Sequence, residues 1–293
     1  ALCFARSGWK TELFDPGPGA LDTALQRISE DLQLFVDLDR MDKAGKKKTL
    51  SLITPLKDLP DEIPDQVIEA VPEDKRLKQD LFRSLEGRTG PSTLFCTNTS
   101  AIRIDELADG MAAPDRLVGT HFWNPAHLVP LVEVIPGKAT SEASMLRAMS
   151  LMKGIGRRPV RINRDLPGFV GNRLQHALQR EALALVEDGV ISPEDLDQVV
   201  RYSFGSRMPL MGPFERADLG GLDVTLRIHG YLLPYLDRRT EPARILQDLV
   251  DRGRCGLKTG GGFFDWGPGK ARKRTRARDA ALLKILEIMS EID

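Results

Sequence analysis

His121 and Glu133 are the two residues whose types and spacing most directly suggest proton chemistry. They lie in Arg116–Gly137, where two short apolar runs rich in β-branched residues flank Asn124-Pro125, a pattern that reads as strand, turn, strand. His121 closes the first run. Glu133 sits inside the second, between Leu131-Val132 and Val134-Ile135. A carboxylate in such a strand is costly to bury unless it finds a partner, because it loses its hydration. The nearest candidate across the turn is His121. A carboxylate against an imidazole fixes the tautomer and favours the protonated ring, as a general acid/base requires. On spacing alone, a satisfied core histidine and a rim glutamate explain the pair at least as well.

The elements that must position this pair follow from periodicity. Ala1–Ser7 reads as the tail of a helix ended by Gly8, and Trp9–Asp15 as a strand that ends in an acid. Leu21, Leu25, Ile28, Leu32 and Phe35 recur at helical spacing, so 20–40 is an amphipathic helix. Lys43, Lys46, Lys47 and Lys48 then read as a solvated turn. Strands are expected at 66–71, 93–97 and 157–162, with helices after the first two and a helix carrying Met145, Met149 and Met152 in its core before the third. Alternating strands and helices predict an α/β, doubly wound and mainly parallel sheet, whose ligands gather at the strands' carboxyl ends. Asp15, Glu73, Asn98, Ser100 and His121 all fall at or just past such ends. From Asp165 the pattern becomes helical: Asp165-Leu-Pro167 reads as a helix start, 167–187 as mostly helix, and Ser192-Pro193 as the next start. Only 262–266 suggests a further strand. Two domains are therefore expected, 1–164 and 165–293.

Composition narrows the class. The 293 residues are 41% hydrophobic and carry 42 basic and 42 acidic side chains, the profile of an ordinary globular protein. Net neutrality gives no support for a nucleic-acid or anionic-membrane partner. No apolar run approaches the roughly 18 residues of a membrane helix. Cys3, Cys96 and Cys255 are odd in number and widely spaced, which suits free thiols in a reducing cytosol. No two of His121, His127, His176 and His229 pair with cysteines or carboxylates at metal-ligand spacing, so no metal is expected.

Several motifs together resemble the L-3-hydroxyacyl-CoA dehydrogenase family over nearly the whole chain. They are Ile-Glu-Ala-Val-Pro-Glu-Asp (68–74), Thr-Asn-Thr-Ser (97–100), His-Phe-Trp-Asn-Pro (121–125), Leu-Val-Glu-Val (131–134), Pro-Gly-Phe-Val-Gly-Asn-Arg (167–173), Met-Gly-Pro-Phe-Glu (211–215) and Lys-Thr-Gly-Gly-Gly-Phe (258–263). The resemblance implies an N-terminal NAD-binding Rossmann domain and an all-α C-terminal domain that forms a homodimer. It implies His121 as the base taking the 3-hydroxyl proton while hydride passes to the nicotinamide, and Glu133 as its orienting partner. Ser100 and Asn172 are implied to hold the hydroxyl and carbonyl ends of the substrate. Asp15, Glu73, Lys78, Asn98, Asn124 and Lys258 match positions that contact NAD.

The chain also departs from that pattern. The Gly-x-Gly-x-x-Gly turn expected about 20 residues before the ribose-binding acid is absent, so a truncated polypeptide is expected. Trp123 stands where phenylalanine is common, and Ala126-His127 where small residues and valine are usual, which bears on acyl-chain preference. Lys270–Arg278 carries six basic residues in nine and reads as a solvated helix. Three readings stay open: an NAD-dependent 3-hydroxyacyl-CoA dehydrogenase, a dehydrogenase of a free 3-hydroxy acid of the L-gulonate type, and a non-catalytic relative.

Overall fold

Leu94–Thr97, 117–121 and 132–135 are buried along their whole length. Strands buried on both faces belong inside a sheet with helices on each side. The computed structural model has this arrangement; it describes residues 1–61, 65–267 and 269–292. The chain divides into two compact units, Ala1–Arg173 and Leu174–Asp293.

The first unit runs α1 (Leu2–Arg6), β1 (Thr11–Phe14), α2 (Ala20–Asp37), α3 (Lys43–Ser51), β2 (Ile53–Leu56), β3 (Gln66–Glu69), α4 (Lys75–Glu86), β4 (Leu94–Thr97), α5 (Ile104–Leu107), β5 (Leu117–Phe122), β6 (Leu131–Pro136), α6 (Glu142–Gly154) and β7 (Arg158–Arg161). Strands β3-β4-β5-β6-β7 form one sheet in that order, parallel except for the antiparallel β5–β6 pair. Strands β1 and β2 pair in parallel as a separate two-stranded sheet. The expected alternation is thus a Rossmann-like sheet with helices, followed by a helical second unit.

Side-chain parity divides the core into two layers. Leu94, Cys96, Val118, Val132 and Val134 meet α1 and α6 through Cys3, Phe4, Met145, Ala148 and Met152. Phe95, Leu117 and Ile135 meet α4 and α5 through Phe82, Leu85, Ile104 and Leu107. His121 and Glu133 share the parity of Leu117 and Ile135, so they point to the second layer. Gly119 lets α5 lie this close: a Cβ there would stand 2.7 Å from Ile104 Cδ1 and 3.1 Å from Ile135 Cβ.

Three expectations change. The lysine cluster is helix α3, because Asp42 caps it by accepting from the Gly45 amide. Residues 165–170 are not helical; α7 (Gly171–Glu187) starts later, since Gly168 and Phe169 have φ of 74° and 47°. The two compact units part after Arg173, and Phe169 is fully buried in the first unit's core. The segment 262–266 forms only isolated bridges, not a strand.

The second unit contains most of α7 and then α8 (Pro193–Tyr202), α9 (Pro213–Gly220), α10 (Leu222–Leu232), α11 (Arg244–Asp251) and α12 (Lys270–Ile292). Ser192 caps α8 from the residue before Pro193, as expected. Glu187 gathers this unit by accepting from the Ile245 amide and from Arg239. No helix among the described residues is long and apolar enough to cross a membrane.

Candidate active site

The β5–β6 register sets His121 directly opposite Glu133. Their side chains meet at 2.8 Å, Nδ1 to Oε2, with the residues only 4% and 2% exposed. The second carboxylate oxygen, Oε1, accepts from the Val170 and Gly171 amides at 3.0 Å each. Burial pushes the Glu133 carboxyl up, but hydrogen bonds from His121, Gly171 and Val170 outweigh it and hold the group below the usual carboxylate range. A carboxylate only accepts, so the proton of a neutral His121 belongs on Nδ1. That leaves the Nε2 lone pair as the base.

Two aromatic rings lie against this imidazole. Phe169 lies 5.6 Å and Trp123 5.3 Å from it, centroid to centroid. Phe169 keeps a left-handed backbone that L residues rarely adopt, a conformation that persists only where surroundings enforce it. Trp123 lies on the first turn of α7: a Cβ on Gly171 would come 2.2 Å from Trp123 Cζ2. Glu133 therefore fixes two things at once, the imidazole and the helix start that carries Asn172.

Asn172 in turn reaches the loop after β4, donating from Nδ2 to the Ser100 carbonyl at 3.1 Å. Ser100 is exposed there. Glu73 Oε1 organises the same loop, accepting from Thr99 Oγ1 at 2.6 Å and from the Ser100 and Ala101 amides at 2.9 and 3.0 Å. Burial raises the Glu73 carboxyl, yet these bonds and Lys78 hold it below its ordinary value. His121, Glu133, Asn172 and Ser100 are thus joined through a continuous set of contacts in one unit.

The expected cofactor residues divide. Asp15 is exposed just past β1, where it accepts from the Gly17 amide. Asn98 Oδ1 accepts from the Phe122 amide at 2.9 Å and so ties β4 to the end of β5. Asn124 is exposed two residues further on. Lys258 belongs to the other unit, in a short turn at Leu257–Thr259. Lys78 does not stand open to a ligand: it is 1% exposed, and its ammonium meets Glu69 at 2.7 Å, the Val71 carbonyl at 3.2 Å and Glu73 at 3.4 Å. Sequence reasoning passed over Glu69, Phe169 and the two amides at the start of α7. Glu69 had a signal, since it interrupts an apolar strand as Glu133 does.

Residues 1–166 match the 3-hydroxyacyl-CoA dehydrogenase NAD-binding domain, and residues 168–266 match the C-terminal domain of the same family. A 5-formyl-3-hydroxy-2-methylpyridine 4-carboxylate 5-dehydrogenase of Mesorhizobium japonicum is 35% identical over 98% of this chain and 94% of its own. A probable 3-hydroxybutyryl-CoA dehydrogenase of Bacillus subtilis is 35% identical over 89% of this chain and 91% of its own. Among solved structures, a 5-formyl-3-hydroxy-2-methylpyridine 4-carboxylic acid 5-dehydrogenase, described as an NAD+-dependent dismutase, superposes with a TM-score of 0.92 at 32% identity, covering 100% of this chain and 94% of its own. The (S)-3-hydroxybutyryl-CoA dehydrogenase of Ralstonia eutropha gives 0.74 at 29% identity, covering 91% and 93%. The chain belongs to the 3-hydroxyacyl-CoA dehydrogenase family, a family of oxidoreductases, and its cofactor is NAD. Asp15, exposed just past β1, has the acceptor chemistry that ribose hydroxyls require.

Proposed function

We propose that this protein exchanges a hydride between NAD and the C3 carbinol of an L-3-hydroxyacyl-CoA, with His121 and Glu133 as its proton-handling pair. The buried 2.8 Å contact between them carries the reading, because it leaves Nε2 of His121 as a base. Bound NAD supplies the hydride acceptor, or the donor in the reverse direction. His121 takes the hydroxyl proton as the carbonyl forms, and Glu133 stabilises the imidazolium that results. Ser100 and Asn172 hold the substrate oxygens. Phe169 and Trp123 keep water from the imidazole and restrict its rotation. Asp15, Glu73, Asn98, Asn124 and Lys258 are the proposed cofactor contacts, with Lys78 acting from behind Glu73.

A second reading, a free hydroxy acid or pyridine carboxylate as substrate, is favoured by one observation. The Mesorhizobium relative aligns over 98% of the chain, whereas the family description ends at residue 266, before α12. NADH oxidation with acetoacetyl-CoA, compared with free acetoacetate, separates the two. The expected kcat/KM advantage of the thioester is about a hundredfold, because remote CoA contacts are used to orient the reacting centre. A preference for the free acid, or turnover of the pyridine carboxylate alone, would overturn the CoA reading.

We also propose a homodimer formed through the second unit, with no nucleic-acid or membrane partner, in the cytosol. The three free cysteines support a reducing compartment. Among this unit's described apolar residues other than glycine, only Ala184 and Ala243 are buried. Phe214, Leu226 and Tyr231 are 86%, 74% and 74% exposed. Apolar exposure on this scale marks a protein interface. Light scattering is expected to give twice the 32.5 kDa chain mass, and Leu226→Asp with Tyr231→Asp to lower it. A wild-type monomer at micromolar concentration would overturn this.

A further inference from the structure

The cofactor and proton chemistry leave one buried charge cluster unexplained: Glu69 at the end of β3, and Lys78 in the first turns of α4. Their ammonium and carboxylate are 1% and 0% exposed. Burying an ion pair costs several kcal/mol per ion, repaid only when the remaining donors and acceptors are satisfied. Here they are. Glu69 Oε1 accepts from Lys78 and from the Val71 amide, each at 2.7 Å, and Oε2 accepts from Thr97 Oγ1 at 2.6 Å. Lys78 has three protons and three acceptors, namely Glu69, the Val71 carbonyl and Glu73 Oε2.

Two routes lead from Glu69 to one loop. Along the first, Lys78 grips Glu73 Oε2, while Glu73 Oε1 takes Thr99 Oγ1 and the amides of Ser100, Ala101 and Ile102. Along the second, Thr97 Oγ1, bound to Glu69, accepts from the Thr99 amide at 3.3 Å. Glu73 is 38% exposed along its side chain, so without Lys78 its Oε2 loses the buried cation that holds it. A carboxylate free to rotate would release several amides together.

We propose that Glu69 and Lys78 are positioning residues: a buried ion pair that locks Glu73 and, through it, sets Ser100 in place for the substrate. This rests on the reading of Ser100 as a substrate contact. The pair touches neither substrate nor the reacting atoms. It acts by making the Thr99–Ile102 backbone rigid, so its loss lowers turnover more than it lowers cofactor affinity through Glu73.

The test uses the full chain with two variants. Lys78→Met leaves Glu69 buried without its cation, a change that can prevent folding. Glu69→Gln combined with Lys78→Met removes both charges, and neutral replacement of a buried pair is commonly tolerated. In the folded double variant, amide hydrogen exchange at Ser100, Ala101 and Ile102 is expected to quicken about tenfold while the β5–β6 amides keep their protection. With acetoacetyl-CoA, kcat is expected to fall about tenfold or more, as misplacement of a positioned group does, while NADH Kd, read by fluorescence, rises by no more than about threefold through the loosened Glu73. Unchanged exchange at these three amides would overturn the proposal. So would an NADH Kd that rises in step with the fall in kcat, which would make cofactor binding, not placement of Ser100, the pair's main role. A wild-type protein inactive on acetoacetyl-CoA would count against the substrate reading alone, since amide exchange decides the positioning role without turnover.

Discussion

Replacing His121 with alanine lowers kcat by about 10²–10⁴-fold, the range that a positioned general base contributes, with NADH affinity retained. The expectation follows from the tautomer. Glu133 can only accept, so Nδ1 carries the proton of the neutral ring and Nε2 keeps the lone pair of the base. Alanine removes the base and leaves nothing to take its place, because the side chains against it, Phe169 and Trp123, do not accept a proton. The fold should survive, since Glu133 keeps two backbone amides at 3.0 Å. The check is steady-state turnover of acetoacetyl-CoA with NADH, beside NADH binding by fluorescence. A kcat within threefold of wild type would remove His121 from the chemistry.

That pair was legible because its two signals are local. A carboxylate inside an apolar strand needs a partner, and a strand-turn-strand places the partner opposite; the observed register sets His121 against Glu133. The parallel case of Glu69 was harder, since its partner Lys78 comes from a helix and no turn ties the two together. Strand β2, Ile-Thr-Pro-Leu, went unnoticed because Pro55 interrupts it, which is tolerable where a strand pairs on one side only. The lysines of α3 looked like a turn because their charge hid the helical signal that Asp42 starts. Phe169 carried no signal at all: its left-handed backbone depends on tertiary packing around a buried ring, and that packing moved the start of α7.

Glu133 should be the residue at which loss of activity and loss of stability coincide. In Glu133→Gln the amide can point its oxygen at Val170 and Gly171 or at His121, but not at both. If its NH₂ faces Nδ1, the imidazole must carry its proton on Nε2, and the base is gone. If its NH₂ faces the helix, two amide donors at 3.0 Å lose their acceptor. Either way kcat should drop about 10³-fold, as loss of the orienting carboxylate does in other histidine-dependent sites. Stability should fall by about 1.5–3 kcal/mol, the worth of hydrogen bonds to a charged group. The pH dependence distinguishes this from simple misfolding. The Glu133 carboxyl titrates below its unfolded value of 4.5, so its contribution to stability is full above about pH 4.5 and is lost as the pH falls through the folded value. Urea midpoints of wild type and Glu133→Gln should therefore differ at neutral pH and converge in acid. A gap that stays constant down to pH values where wild type unfolds would mean that the Glu133 charge does not hold the start of α7.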